Sequence, residues 1–212
     1  MRVLSSFSAV PAEVGRGQLF RQRVVSVPNE RIFVIASALG MPRLWHVGNQ
    51  TALGAFVESL AKTQNAPIRD RLDVAMHVAR SALVQACQIL VERIAPDVAM
   101  LAMAIEDDGV HVSSVGAARA YIYRGGVPQR LTPRSDDVGG ILVEAPVRSH
   151  MPLEPGDIIL AGSVSAFSQH AVARITAILT ADRETTPSTL ANVLTEPAAK
   201  SGVGAAAVVI RL

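Results

Sequence analysis

The sequence predicts an α+β fold in which helices are segregated from an antiparallel β core. Strand-like segments come first, two helical segments follow, and then come a longer series of strands, two more helical segments and a closing strand. Turn signals at residues 107–109 and 125–126 join neighbouring strands as antiparallel hairpins. This order differs from the strand–helix alternation of parallel sheets. We expect one domain over residues 1–212, because no repeat or linker interrupts the chain.

Three strand signals open the chain, namely VLSSFSA, LFRQRVVSV and RIFVIAS. The second follows a Gly-rich turn, and the third is a β-branched run after Pro28-Asn29. From about Gln50 the apolar residues recur at helical spacing, at positions 53, 56, 57 and 60. A longer helix is predicted over residues 68–94 and stops at Pro96. Cys87 falls on its apolar side, so we expect a small buried side chain there.

The second half of the chain begins with VAMLAMAIE, a continuous apolar run typical of a buried strand. VHVSSVG, ARAYIYR and VPQRL follow as hairpin strands, and DIILAGS is a further strand after LEPGD. Helical spacing returns over residues 165–179 and 188–199. AAAVVIRL closes the chain as a strand. These segments complete the predicted α+β order.

Composition excludes several classes of protein. The chain has 212 residues, half of them hydrophobic, a mean hydropathy of +0.32 and a formal net charge of +2. Basic and acidic residues are interspersed and aromatics make up only 4% of the chain, so we expect no nucleic-acid partner. One cysteine cannot form an intramolecular disulfide. No apolar stretch approaches the roughly 18 residues of a membrane span, so we expect a cytoplasmic protein without a membrane partner.

Six phrases occur in an order that resembles the type-2C metal-dependent Ser/Thr protein phosphatases, the PPM family. They are RQR at 21–23, FVIASALGM at 33–41, VGAARAYIYRGG at 115–126, LTPRS at 131–135, EPGDIILAGSVSAF at 154–167 and SGVGAAAVVIRL at 201–212. The resemblance spans nearly the whole chain, and VGAARAYIYRGG is its most specific part. It implies a four-layer α-β-β-α sandwich, in which two antiparallel sheets are flanked by helix pairs.

The resemblance also implies where a working relative would hold its metal ions. Aspartates of the family bind Mg²⁺ or Mn²⁺, and two metals stabilise the attacking and leaving oxygens of the reaction. In this chain none of the corresponding positions is acidic. They are Arg23, Ser37, Ala117, Val164 and Val203, with Gly202 as an alternative to the last. Ala38 stands where a glycine would offer its carbonyl, and Gln18 stands where an arginine would hold the substrate phosphate.

We therefore interpret the chain as a pseudophosphatase, a protein-interaction or regulatory module that is not an enzyme and has no metal or other cofactor. Two alternatives remain open: an active Mn²⁺- or Mg²⁺-dependent phosphatase with a displaced metal site, and a structural subunit of a larger assembly. Expected partners are proteins of a Ser/Thr kinase pathway or a multi-protein complex, and a homo-oligomer is a further option. The candidate partner-binding residues are Trp45, Arg134, Asp136 and Asp137, and core packing is the alternative for Trp45.

The other chemistry-bearing residues have simpler interpretations. Asp107-Asp108, Asp136-Asp137 and Asp157 fall in turns, where aspartate is favoured for its own local hydrogen bonds, so we expect solvated side chains. The histidines at 46, 77, 111, 150 and 170 show no metal-ligand spacing, which predicts surface or rim positions. Ser163 and Ser165 have no evident base, so a serine-hydrolase function is disfavoured.

Overall fold

Two antiparallel sheets form the centre of the computed structural model, which describes residues 3–90, 96–134 and 139–212. Strands are numbered in chain order. The first sheet has the order β2-β1-β11-β10-β7-β8, formed by β1 (Leu4–Val14), β2 (Gly17–Leu19), β7 (Arg119–Arg124), β8 (Val127–Arg130), β10 (Ile158–Gly162) and β11 (Val203–Arg211). The second sheet has the order β3-β4-β5-β6-β9, formed by β3 (Gln22–Val27), β4 (Ile32–Ala38), β5 (Val98–Glu106), β6 (Gly109–Val115) and β9 (Val147–Met151).

A helix pair covers the outer face of each sheet. The pair on the second sheet is α1 (Trp45–Lys62) and α2 (Ile68–Ile89), and the pair on the first sheet is α3 (Gln169–Ala181) and α4 (Pro187–Lys200). A third apolar layer lies between the two sheets. The predicted four-layer α-β-β-α sandwich is therefore confirmed.

Strand β4 shows how the sequence builds these layers. Ile32 and Val34 pack against the helix pair, whereas Phe33 and Ile35 pack between the sheets. Successive side chains of a strand point to opposite faces, so a strand buried on both sides needs the continuous apolar run that the sequence shows. Strand β5 follows the same rule in VAMLAMAIE.

The structure differs from the prediction at two strands. LFRQRVVSV divides, because β2 pairs with β1 in the first sheet whereas β3 pairs with β4 in the second. The chain therefore crosses between the sheets at Phe20 and Arg21, at one end of the sandwich. Strand β9 was not predicted, since VRSHM has only a weak apolar pattern, yet it forms the edge next to β6.

Three further expectations need correction. Cys87 is only half-buried, and burial raises the pKa of its thiol. Asp157 is not solvated: it is 1% exposed, and both of its carboxylate oxygens accept hydrogen bonds from Arg124. α1 begins at Trp45, earlier than its apolar spacing suggested. The predicted end of the second helix, at residues 91–94, lies outside the described residues.

Within the described part of the chain, no helix is long and apolar enough to cross a membrane.

Candidate functional site

A cleft of about 560 Å³ lies at the end of the sandwich where the chain crosses between the sheets. Its walls come from the ends of strands in both sheets and from the loops that follow them. The described lining residues are Arg21, Gln22, Ser37, Leu39, Gly40, Ala99, Ala117, Ala118, Gly139, Ser163, Val164, Ser165 and Val203.

The structure brings four of the sequence-predicted metal positions together at this cleft. Ser37, Ala117, Val164 and Val203 all line it, although they come from four separate parts of the chain. Ala38 lies behind the wall, where it packs with Ala12 and Trp45. The cleft is therefore the place where the resemblance locates a metal site.

Arg23 and Gln18 do not reach the cleft. Arg23 is exposed on the other face of β3, with its guanidinium 5.1 Å from the centre of the Phe20 ring. Gln18 lies exposed on β2. The neighbouring Gln22 takes the cleft position instead: it is 3% exposed and pairs with Ser37 across β3 and β4. Gln22 therefore lines the cleft and Arg23 does not, because one step along a strand reverses the direction of the side chain.

Arg21 is a cleft residue that sequence reasoning missed. Its Nε donates a hydrogen bond to the carbonyl oxygen of Ala38 over 3.0 Å, and its guanidinium lies 5.6 Å from the centre of the Trp45 ring. Its own carbonyl oxygen accepts from the amide nitrogens of Ala38 and Asn49, each over 2.9 Å. Burial lowers the pKa of the guanidinium, but an arginine side chain stays protonated in proteins. A fixed positive charge therefore stands at the cleft.

The hydroxyl groups of Ser163 and Ser165 are used within the protein. They lie 2.9 Å apart, the Ser165 hydroxyl donates to the carbonyl oxygen of Gly204 over 2.7 Å, and the Ser163 hydroxyl accepts from the backbone N–H of Ala206 over 3.2 Å. These bonds attach the 3₁₀ turn at Val164–Phe167 to β11. Between the two serines Val164 is 41% exposed, so the cleft presents an apolar side chain there.

Two buried polar atoms at the cleft have no hydrogen-bond partner in the described protein. They are Oε1 of Gln22 and Oγ of Ser37. A buried polar atom without a partner costs free energy, and a cleft of this size has room for water to provide one. Side chains alternate in direction along β3. If the register between β3 and β4 had been known, this alternation would have identified Gln22 as the residue that faces the cleft.

Two described carboxylates close to the cleft wall bind backbone N–H groups. Asp97 accepts hydrogen bonds from the N–H groups of Val98, Gly140 and Leu142 at 2.8–3.0 Å, and so fixes the loop after residue 139 against β5. Oε2 of Glu144 accepts from the N–H of Gly116 over 3.3 Å. Neither carboxylate lines the cleft.

The predicted partner-binding residues have different outcomes. Trp45 is 8% exposed and donates from its indole N–H to the carbonyl oxygen of Gly40 over 3.1 Å, which favours the core-packing alternative over an exposed anchor. Arg134 is exposed. Asp136 and Asp137 lie outside the described residues.

The described lining does not fit a pair of Mg²⁺ or Mn²⁺ ions. These hard cations prefer carboxylate and other oxygen ligands, but no described lining residue carries a carboxylate group. The Ala38 carbonyl, which the resemblance implies as a ligand, already accepts from the Arg21 cation. A guanidinium next to a metal site repels the metal directly. We therefore derive no metal-dependent step at this cleft.

Elsewhere two of the histidines lie at the edge of the second sheet, as the predicted surface or rim positions required, and they meet there. His111 and His150 stand directly opposite each other on β6 and β9, with ring centres 4.5 Å apart. Asp108 lies beside both of them. No spacing along the chain indicated this cluster, because β9 was not predicted.

Several solved bacterial phosphatases share this architecture. The chain superimposes on MsPP, a PPM Ser-Thr phosphatase from Mycobacterium smegmatis, with a TM-score of 0.75 and 19% identity, covering 98% of this chain and 97% of that one. It has the fold of the type-2C Ser/Thr phosphatases. The PstP catalytic domain in complex with two manganese ions gives a TM-score of 0.79 at 16% identity, covering 99% and 97%.

PppA, a key regulatory component of T6SS in Pseudomonas aeruginosa, is similar to the same extent. Its TM-score is 0.78 at 16% identity, and the match covers 100% of this chain and 98% of PppA. No protein-family model matches the chain, and no curated protein matches it significantly by sequence. The likeness is thus one of the complete fold at low sequence identity.

Proposed function

We propose that the chain is a non-catalytic type-2C phosphatase-like module that acts by binding protein partners. The observation that carries this proposal is the hydrogen bond from Arg21 Nε to the Ala38 carbonyl oxygen. It supplies a permanent cation at the place where the resemblance implies a metal ligand. Ser163 and Ser165 add to the argument, since their hydroxyls attach the cleft wall to β11 without a metal.

Loss of several carboxylates together is physically consistent with loss of catalysis. Clustered carboxylates repel one another unless a cation neutralises them. Where metal binding is not required, the uncharged side chains of Ser37, Ala117 and Val164 remove that repulsion. The sandwich is kept, because its three apolar layers do not depend on the cleft.

A regulatory role is supported by the description of PppA as a key regulatory component of T6SS. For this chain we propose a partner in a Ser/Thr kinase pathway or a multi-protein complex. The exposed Arg134, at the end of the segment that leaves β8, is the described residue that we assign to the partner surface.

Light scattering on the purified chain distinguishes a monomeric binding module from a structural subunit that assembles with copies of itself.

Hydrolysis of an aryl phosphate with excess Mn²⁺ tests the absence of catalysis. We expect no chelator-sensitive turnover, whereas MsPP assayed in parallel provides the positive control. The H150A variant is assayed beside the wild type, so that any metal bound at the distant histidine pair is not mistaken for metal in the cleft. Chelator-sensitive turnover in the wild type would contradict the proposal, and its persistence in H150A would assign the activity to the cleft and not to the histidine pair.

Affinity capture from cells of the source organism tests the binding role. We expect the wild type to enrich one defined set of proteins that R134E loses. R16E is the matched control, because Arg16 is also exposed but lies in the β1–β2 turn. Equal enrichment by all three proteins would exclude Arg134 from the partner surface.

A further inference from the structure

A polar groove of about 350 Å³ lies between the edge of the second sheet and α2. His111 and Ser113 reach it from β6, His150 and Arg148 reach it from β9, and Asp108 reaches it from the β5–β6 turn. The groove shares no described lining residue with the cleft. Val115 is the last residue of β6, two positions before the cleft residue Ala117. His111 lies four residues before Val115, about 13 Å along the strand at ~3.3 Å per residue.

Strand register sets the direction of these side chains. His111 is paired with Ala104 and Ser113 with Ala102, and both alanines belong to the layer under α1 and α2. His111 therefore faces the helix side of the sheet. The β6–β9 register places His150 directly opposite His111. Two imidazoles thus meet at the outer edge of the sheet.

Asp108 completes a compact group of three. Its Oδ1 lies 3.2 Å from Nε2 of His111 and its Oδ2 lies 3.6 Å from Nε2 of His150. One ligand atom from each residue falls within 4.8 Å of the other two. In a tetrahedral zinc site with bonds of 2.0–2.1 Å, neighbouring ligand atoms are about 3.3 Å apart. The two distances to Asp108 are close to that separation.

We propose that Asp108, His111 and His150 bind a divalent transition metal of the zinc class. Imidazole nitrogen suits Zn²⁺, Ni²⁺, Cu²⁺ and Co²⁺, whereas Mg²⁺ and Ca²⁺ prefer sites built from oxygen alone. Three protein ligands leave a further coordination position open to solvent, as in zinc sites with an exchangeable ligand. The bound metal joins the β5–β6 hairpin to the edge strand β9.

Charges of both signs surround the cluster, since Arg69 and Arg148 also line the groove. Oε2 of Glu106 lies 3.6 Å from Nε2 of His111 and adds a second negative charge. The guanidinium of Arg148 is 2.6 Å from Asp73, so its positive charge is paired with a carboxylate on α2. Ser113 is 1% exposed and its Oγ has no hydrogen-bond partner in the described protein. That buried hydroxyl lines the same groove and provides an acceptor for a water on the metal.

Gly109 is required for the approach of His150. A Cβ at this position would stand 2.7 Å from His150 Nε2 and 2.4 Å from the backbone oxygen of Met151. Its φ of +152° also lies in a region that side chains disfavour. The hairpin turn therefore leaves room for both the imidazole and the edge strand.

Calorimetric titration of the untagged, chelator-stripped chain with Zn²⁺ tests this site. We expect one equivalent to bind, and we expect H111A, H150A and D108N each to raise Kd at least ~10-fold, since even residues that only support metal ligands have effects of that size. H170A is the matched control, because His170 is exposed on α3, on the other side of the sandwich. Equal Kd values for wild type, H111A and H150A would overturn the proposal.

The wild type gives a second readout that does not depend on the folding of a variant. Co²⁺ bound by two imidazoles and a carboxylate should show d–d absorption bands of a low-coordinate site without a thiolate charge-transfer band. A thiolate band would assign the metal to Cys87 and overturn the proposal. Absence of any Co²⁺ or Zn²⁺ binding would show that the three side chains form only a histidine–aspartate hydrogen-bonded cluster. The result is independent of phosphatase activity at the cleft.

Discussion

Nε of Arg21 donates to the carbonyl oxygen of Ala38 over 3.0 Å, and this bond joins the crossing between the two sheets to the end of β4. The guanidinium also lies over Trp45, which packs against Ala38. One cation thus connects the cleft to a small apolar cluster. We therefore expect the hydrogen bond between Arg21 and Ala38 to stabilise the fold.

Replacement of Arg21 by alanine should lower the free energy of unfolding by about 2 kcal/mol, since hydrogen bonds from charged groups contribute about 1.5–3 kcal/mol. Urea denaturation of R21A measures this loss. R23A is the control, because Arg23 is exposed and lies over the Phe20 ring. Such exposed contacts contribute about 0.5–1 kcal/mol. A larger loss in R23A than in R21A would contradict our account of β3.

Alanine substitutions at two glycines should change stability in opposite directions. At Gly140 a Cβ would stand 2.5 Å from Oδ1 of Asp97 and 2.6 Å from the carbonyl oxygen of Val98, so G140A should cost about 1–3 kcal/mol by overpacking. At Gly54, within α1, a Cβ meets no atom within 4 Å. G54A should therefore stabilise the protein by about 0.5–1 kcal/mol through helix propensity. Denaturant midpoints of both variants test the pair, and equal shifts would be inconsistent with it.

The α+β order could be predicted from the sequence because its signals are local, whereas the four-layer sandwich was implied by the family resemblance. Strand β5 and helix α2 each carry their apolar period within one segment, and the hairpin turn at Asp107-Asp108 follows directly from residue type. The division of residues 17–27 between two sheets could not be predicted in this way. Pairing of β2 with β1 and of β3 with β4 depends on contacts that no single segment contains.

The candidate site was predictable only where neighbouring residues fixed the alignment. Ser37, Ala117 and Val164 sit in distinctive phrases and all line the cleft. The exposed Arg23 does not line the cleft, whereas the adjacent, buried Gln22 does. The histidine cluster was inaccessible to sequence reasoning for a different reason. His111 and His150 meet only through the β6–β9 pairing, and β9 has too few apolar residues to be recognised as a strand.

Glu196 should contribute a pH-dependent part of the stability. Hydrogen bonds from Lys200 and then from Arg174 lower the pKa of its carboxyl from 4.5 to about 2. Because the folded-state pKa is the lower one, the contribution is complete above pH 4.5 and is lost as the pH falls towards 2. Melting temperatures between these values should fall less steeply for E196Q than for the wild type. E184Q is the control, because the Glu184 side chain is 93% exposed, and its melting temperatures should follow those of the wild type. Parallel curves for E196Q and the wild type would exclude the effect.

Arg124 and Asp157 form a paired contact between β7 and the turn before β10. Nε and Nη2 of Arg124 donate to the two carboxylate oxygens of Asp157 over 2.9 and 2.6 Å, and this contact raises the pKa of Arg124. The Asp157 side chain is 2% exposed. R124A should therefore cost about 3–5 kcal/mol, because it leaves a buried carboxylate without its cation.

The double variant R124M/D157L separates the value of the pair from the cost of an unpaired charge. Removal of both charged groups leaves no buried ion, and hydrophobic replacement of such pairs is often nearly neutral. The N–H of Glu154 loses its acceptor on Asp157, which accounts for a remaining loss of about 1 kcal/mol. Urea denaturation should thus place the double variant between R124A and the wild type. A double variant less stable than R124A would mean that the ion pair itself is a large net source of stability.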